Sequence, residues 1–183
     1  MSDPSEPGAT AFQLTLRTTG ADDEPEVWRA TIQSAHEDPT VDMPHLAEAI
    51  VYRVHYANPR WIEQLGDAED DLTSIGSAFA DRELISMLDE SSLFTDNLCV
   101  IASIDVDDGV NASALSHELV RSIARVFDGD TIALLGTRRR GADDSTDPWL
   151  GRAHWAAIGF VDIPGTTSMI LPVGSRSSSP PLG

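Results

Sequence analysis

The residues best placed to do chemistry lie between Asn97 and Phe127. Leu98-Cys99-Val100-Ile101-Ala102-Ser103-Ile104-Asp105-Val106 is an apolar, β-rich run of strand length. Asp107-Asp108-Gly109-Val110-Asn111 breaks it. From Ala112 to Phe127, Leu115, Leu119, Ile123 and Val126 recur at helical spacing on one face, and Asn111 or Ser113 can cap the helix start. Strand, short loop and helix N-terminus together make a seat for a phosphate. The first turn of a helix carries N–H groups with no partner in the helix, at the positive end of the macrodipole.

Other constellations are weaker. The acidic string Asp67-Ala68-Glu69-Asp70-Asp71 suggests a metal site, but it lacks the glycine turn and terminal glutamate of a calcium loop and reads as a solvated helix start. No Cys/His cluster has metal spacing, and there is no Gly-x-Ser-x-Gly elbow or Gly-x-x-x-x-Gly-Lys phosphate loop. Tyr52 and Tyr56 share one face of a candidate strand and His55 takes the other, which suits a substrate groove or a packed sheet.

The elements that must position these residues follow from the chain in order. Residues 1–10 and 174–183 are rich in Pro, Ser and Gly and are expected to be disordered tails around a single domain, 11–173. Phe12 to Arg17, Val27 to Gln33 and Ile50 to Tyr56 read as strands, with a short helix as an alternative for the second. Trp61 to Glu90 is mostly helical, with Asp70 or Asp71 capping a helix that holds Leu72, Ile75, Ala78 and Phe79, and a second short helix after Asp81. Thr131 to Leu135 is a short buried strand. A helix from Pro148 or Trp149 carries Leu150, Ala153, Trp155 and Ile158 and stops at Gly159. Phe160 to Ile163 and Ser168 to Val173 form a hairpin through Pro164-Gly165-Thr166. The C-terminal half therefore reads β-α-β-α-β-β, and its βαβ unit implies one parallel strand pair.

Composition bounds the function. At 183 residues the chain can bury a full core. The net charge of −18 argues against nucleic acid and anionic membrane as partners, since both repel a polyanion. All 12 basic residues are arginine. Such a surface suits a cationic substrate or partner, and it equally suits a coding bias or a salt-adapted host. No apolar run approaches the roughly 18 residues of a membrane span, and the acidic start Met1 to Pro7 is not a signal peptide. Cys99 is the one cysteine, so no internal disulfide forms, and a reducing cytoplasm is the expected compartment.

Asn97 to Phe127 resembles the cofactor segment of the GNAT superfamily of acyl-CoA N-acetyltransferases. That family has a strand ending in Val, a short loop, then Arg/Gln-x-x-Gly-x-Gly/Ala opening a helix with a Leu three residues on. Counting from Val106 places Asn111 at the Arg/Gln position, Ala114 and Ser116 at the two glycines and Leu119 at the leucine. The downstream order is similar too: strand, helix ending in aromatic-x-x-aliphatic-Gly-Phe, closing hairpin. Trp155-Ala156-Ala157-Ile158-Gly159-Phe160 stands in that place. Glu69 to Asp81 also resembles a small bacterial subgroup with an acidic helix before the cofactor strand and a Tyr-Trp pair in the late helix, where this chain has His154-Trp155. The likeness covers Ala47 to Val173.

The resemblance implies an α/β fold, a mostly antiparallel mixed sheet with one parallel pair and helices on both faces. It implies acetyl-CoA as cofactor and acetyl transfer to a small-molecule or protein amine, with a non-catalytic binding or regulatory module of the same fold as the alternative. Ile104 and Val106 would hold the cofactor arm through their backbone. Asn111, Ala112, Ser113, Ala114, Leu115 and Ser116 would offer amides to the pyrophosphate, with the β-carbons of Ala114 and Ser116 narrowing the approach. The family's acid tyrosine falls at Trp155, whose indole is no acid near neutral pH, so His154 is the candidate acid. A surface or packing histidine is the competing reading. Asp105, Asp107 and Asp108 are candidate bases for the amine, or plain loop carboxylates. Arg138 to Arg140, the only basic cluster, would clamp a CoA phosphate in place of the charge missing at Asn111, or simply be neutralised by Asp143 and Asp144. His117 is expected to face solvent. A homodimer is compatible with this reading.

Overall fold

Apolar and polar residues alternate along Phe12, Gln13, Leu14 and Thr15, and the chain there forms an edge strand, β1 (Thr10–Leu16). The structure is a computed structural model that describes residues 10–17, 24–34, 45–68, 72–80, 97–107, 112–135 and 151–172. β2 (Glu26–Ser34) and β3 (His45–His55) follow as antiparallel neighbours, then helices α1 (Trp61–Ala68) and α2 (Leu72–Ala80). β4 (Asn97–Val106), α3 (Ala112–Val126), β5 (Thr131–Leu134), α4 (Arg152–Ala156), β6 (Val161–Asp162) and β7 (Met169–Leu171) complete the order. The seven strands lie β1-β2-β3-β4-β5-β7-β6, and β4–β5 is the one parallel pair among them. The expected α/β class with a mixed sheet is therefore observed. β2 is a strand, so the helical alternative falls, and Thr10 belongs to β1 rather than to a tail.

Two cores sandwich the sheet. On one face α3 buries Leu119, Val120 and Ile123 against Val51, Cys99, Ile101, Ile104 and Val106. On the other, Leu65 of α1 and Leu72, Ile75 and Phe79 of α2 cover Tyr52, Val54, Leu98 and Val100. Both helices of that second layer are too short to stand alone in water, so burial against the sheet holds them. The buried stripe of α3 runs Ser116, Leu119, Val120, Ile123, Ala124. Val126, expected on it, is 53% exposed, because the stripe centres nearer Ile123 and Phe127 and leaves Val126 at its rim.

Two local signals fix the C-terminal half. Gly159 sits at φ +99°, Phe160 N–H donates to the Trp155 carbonyl at 3.2 Å, and Gly159 N–H donates to the Ala156 carbonyl at 3.0 Å. These are the paired bonds of a glycine-ended helix. In the hairpin, Pro164 precedes Gly165 at φ +76°, and Thr166 N–H donates to the Ile163 carbonyl, a turn of type II chemistry. The tails, the Asp70/Asp71 cap, the second short helix after Asp81 and the helix start at Pro148 or Trp149 lie outside the described residues.

Candidate functional site

The edge of β4 changes character halfway along. β5 pairs with it over Leu98 to Ile101, and Leu135 N–H, donating to the Ile101 carbonyl at 3.0 Å, closes that ladder. β4 continues through Ala102 to Val106 with no described strand on that side. On its other side β3 stays paired as far as Ala47 opposite Val106, and Asp107 N–H donates to the Leu46 carbonyl at 2.9 Å. Backbone groups of successive residues alternate between the two edges of an antiparallel strand. Asp107 and Asp105 turn theirs toward β3, so Ile104 and Val106 turn N–H and C=O groups toward the edge that no described strand pairs.

A bulge sets which side chains accompany that edge. Ile50 faces Ser103 and Val51 faces Ile101, so Ala102 is the extra residue. Cys99 and Ile101 before it, and Ile104 and Val106 after it, all bury on the α3 face. Asp105 therefore points to the opposite face, exposed, opposite Glu48 of β3, which is ion-paired with Arg29. Asp107 is exposed beyond the strand end. Asp105 and His154 thus lie on opposite faces of the sheet.

The first turn of α3 holds a closed polar ring. Ser116 is fully buried, and its hydroxyl donates to the Ser113 carbonyl at 2.9 Å. Assigning its one hydrogen to that carbonyl makes the 2.9 Å contact to His154 an imidazole Nε2–H donated to Ser116 Oγ. His154 Nδ1 is then an acceptor, 3.3 Å from Ser113 Oγ. His117 stacks on His154 with ring centroids 4.0 Å apart and donates Nε2–H to the His154 carbonyl at 3.0 Å. Burial, with His117 acting in the same direction, pushes the His154 imidazole down to about 4. His117 is also lowered, by burial first and by Arg121, against the opposing bond to the His154 carbonyl.

These placements revise several expectations. His154 is buried and neutral at pH 7, a proton acceptor at Nδ1 rather than a charged acid. His117 is half-buried and bonded to α4, not solvent-facing. Ser113 lies inside α3, where its side chain reaches His154. The Ser116 side chain turns into the protein, so only Ala114, which is exposed, carries a β-carbon toward solvent at the two glycine positions. Ala112 and Leu115 are half-buried against the core. Trp155 is 1% exposed and its Nε1 has no hydrogen-bond partner among the described residues. Tyr52 packs in the second core and Tyr56 meets Trp61 edge to face, so the packed sheet is their fate. Asn111, Asp108 and Arg138 to Arg140 lie outside the described residues.

A second polar cluster, at the amino ends of β4 and β5, went unforeseen. Asp130 accepts from Arg53 Nε at 2.7 Å, Asn97 Nδ2 at 2.7 Å and Cys99 Sγ at 3.4 Å. Arg53 reaches on to Glu26, which also accepts from Trp28 Nε1. Burial raises the Asp130 carboxyl, but the bonds from Arg53 and Asn97 outweigh it and the net shift is downward. Burial and Asp130 push the Cys99 thiol up, which leaves it inert. The signal in the sequence was an arginine inside an apolar strand and an aspartate directly before another.

Among the described residues no group of three or more His, Cys, Asp or Glu is placed to hold a metal, and no helix is long and apolar enough to cross a membrane. No protein-family model, curated protein or solved structure matches the chain.

Proposed function

We propose that the chain binds acetyl-CoA along the distal half of β4 and the first turn of α3, and transfers the acetyl group to an amine. One observation carries the reading: β4 runs past the described residues of β5 and turns the backbone of Ile104 and Val106 to that side. An extended amide-bearing arm pairs with such an edge as an added strand would. Residues 107–111 then lead into α3, whose first-turn N–H groups suit a pyrophosphate. The place is the carboxyl end of the parallel pair, where open α/β sheets hold ligands. Asp105, on the far face, is the candidate base for the amine. Fit to the cofactor is helped by Ser116 facing inward, which keeps the seat clear at that position.

A second reading, a non-catalytic module of the same fold, is favoured by Trp155. The residue at the family's acid position is buried indole, and the neighbouring His154 is held neutral. In that case no acetyl group moves, and the fold serves binding or regulation with or without the cofactor.

Thermal melting with and without acetyl-CoA tests the binding. A ligand at 100 times its Kd stabilises by about 2.7 kcal/mol, and a rise in Tm is expected. Ala114→Asp, which adds a carboxylate at the exposed first turn, is expected to abolish the rise. An unchanged Tm of the native chain at millimolar acetyl-CoA overturns the transferase reading. Binding without turnover on a panel of amines selects the second.

A further inference from the structure

We infer that Ser113 is a nucleophile whose hydroxyl proton passes to His154, so that it accepts an acyl group from an activated ester. No sequence motif announces this; it rests on placement. Ser113 is exposed on the first turn of α3, and its Oγ lies 3.3 Å from His154 Nδ1. Bonds of this kind run long before substrate binds. The hydrogen accounting around Ser116 leaves Nδ1 as the acceptor, so the Ser113 hydroxyl is the donor. The base has an orienter in Ser116, itself fully buried, and the His117 ring stacked at 4.0 Å fixes its plane. A nucleophile, a base and a third group that aims the base are the constellation of covalent acyl transfer, whatever the fold. Ser113 stands in the first turn of the 15-residue α3, whose N–H groups have no partner within the helix and are the kind of donor an oxyanion takes.

The step balances without a further reactant. Ser113 Oγ attacks the ester carbonyl carbon while its proton moves to His154 Nδ1. The tetrahedral adduct collapses, the bond to the leaving oxygen breaks, and that oxygen takes the proton back from Nδ1. Water, activated in the same way, hydrolyses the acyl-serine. Among the described residues His117 is the titratable group that bears on the ring and disfavours its imidazolium; Arg121 acts on His117. The base form is therefore the resting form.

This inference does not rest on the cofactor reading, and the two contend for the same turn of α3. The test is fluorophosphonate labelling of the purified chain, read by intact mass and peptide mapping. The expected result is one adduct, on Ser113, absent in Ser113→Ala. His154→Gln is expected to slow labelling about a hundredfold; if that variant melts below the assay temperature, Ser116→Ala, which keeps both reacting groups and removes the orienter, is expected to slow it as well. No adduct, an adduct elsewhere, or an unchanged Ser113 rate in the folded variants overturns the proposal. Labelling without any acetyl-CoA melting shift sinks the cofactor reading alone; a melting shift without labelling sinks the nucleophile alone.

Discussion

The two ends of the β4–β5 pair solve the same problem differently. At the amino end, Asp130 is anchored by three side-chain donors and ties β3, β4 and the start of β5 together. At the carboxyl end, His154 meets two serines of one helix turn, and the strand beside it runs past the described residues of its partner. The first end is a charge paired in a mostly buried place, all structure. The second keeps a neutral base, an exposed hydroxyl and backbone groups turned to one side. Buried polar groups held by several bonds stabilise, although Asn97 Oδ1 has no partner among the described residues, whereas those at a strand end are where a ligand can change the hydrogen bonding. The contrast is the reason we propose the carboxyl end as the functional one.

Breaking the amino end should have the largest effect. Asp130→Ala removes the acceptor of Asn97 Nδ2 and leaves Arg53 with Glu26 as its remaining carboxylate partner, and loss of about 3–5 kcal/mol is expected, read as a lower urea midpoint with unchanged slope. A loss below about 1 kcal/mol would show that the network is surface-like in strength. At the carboxyl end, Ser116→Ala removes the acceptor of His154 Nε2–H. About 1–3 kcal/mol is the expected cost, that of one unsatisfied buried donor.

The two ends also separate by pH. The His154 pKa is about 4 in the fold against about 6.5 unfolded. The unfolded chain therefore binds more protons between these values, and stability falls as pH drops from about 6.5 toward 4. His154→Gln should reduce that decline, leaving the part that His117, also lowered, contributes. Asp130 is depressed below the ordinary carboxylate value, so its contribution is present above about 3.9 and is lost only as pH falls further. A denaturation series that declines in one acid window alone would contradict the separation. The smallest expected effect is that of Ala114→Asp on stability, within about 0.5 kcal/mol, although it is expected to remove acetyl-CoA binding.

Much of the fold was legible from local chemistry. Gly159 and Phe160, Pro164 and Gly165, and the stripe through Leu119 and Ile123 each act within a few residues, and each appears where expected. The site was legible only in outline. The extra residue Ala102 reverses which of Ile104 and Asp105 faces α3 relative to an unbroken strand, and a one-residue bulge leaves no mark in the alternation of so apolar a run. The partners Arg53 and Asp130 stand 77 positions apart, so nothing local joins them. His154 read as a neighbour of Trp155, but its environment is made by Ser113, Ser116 and His117 on another helix.

Amide-resolved hydrogen exchange along β4, with and without acetyl-CoA, tests the central claim most directly. Ser103 and Asp105, bonded to β3, should exchange slowly in both states. Ile104 and Val106 should exchange fast in the free chain and slow on addition of cofactor. If their amides are as protected as that of Asp105 without ligand, or indifferent to acetyl-CoA, the edge is already filled and the account is wrong.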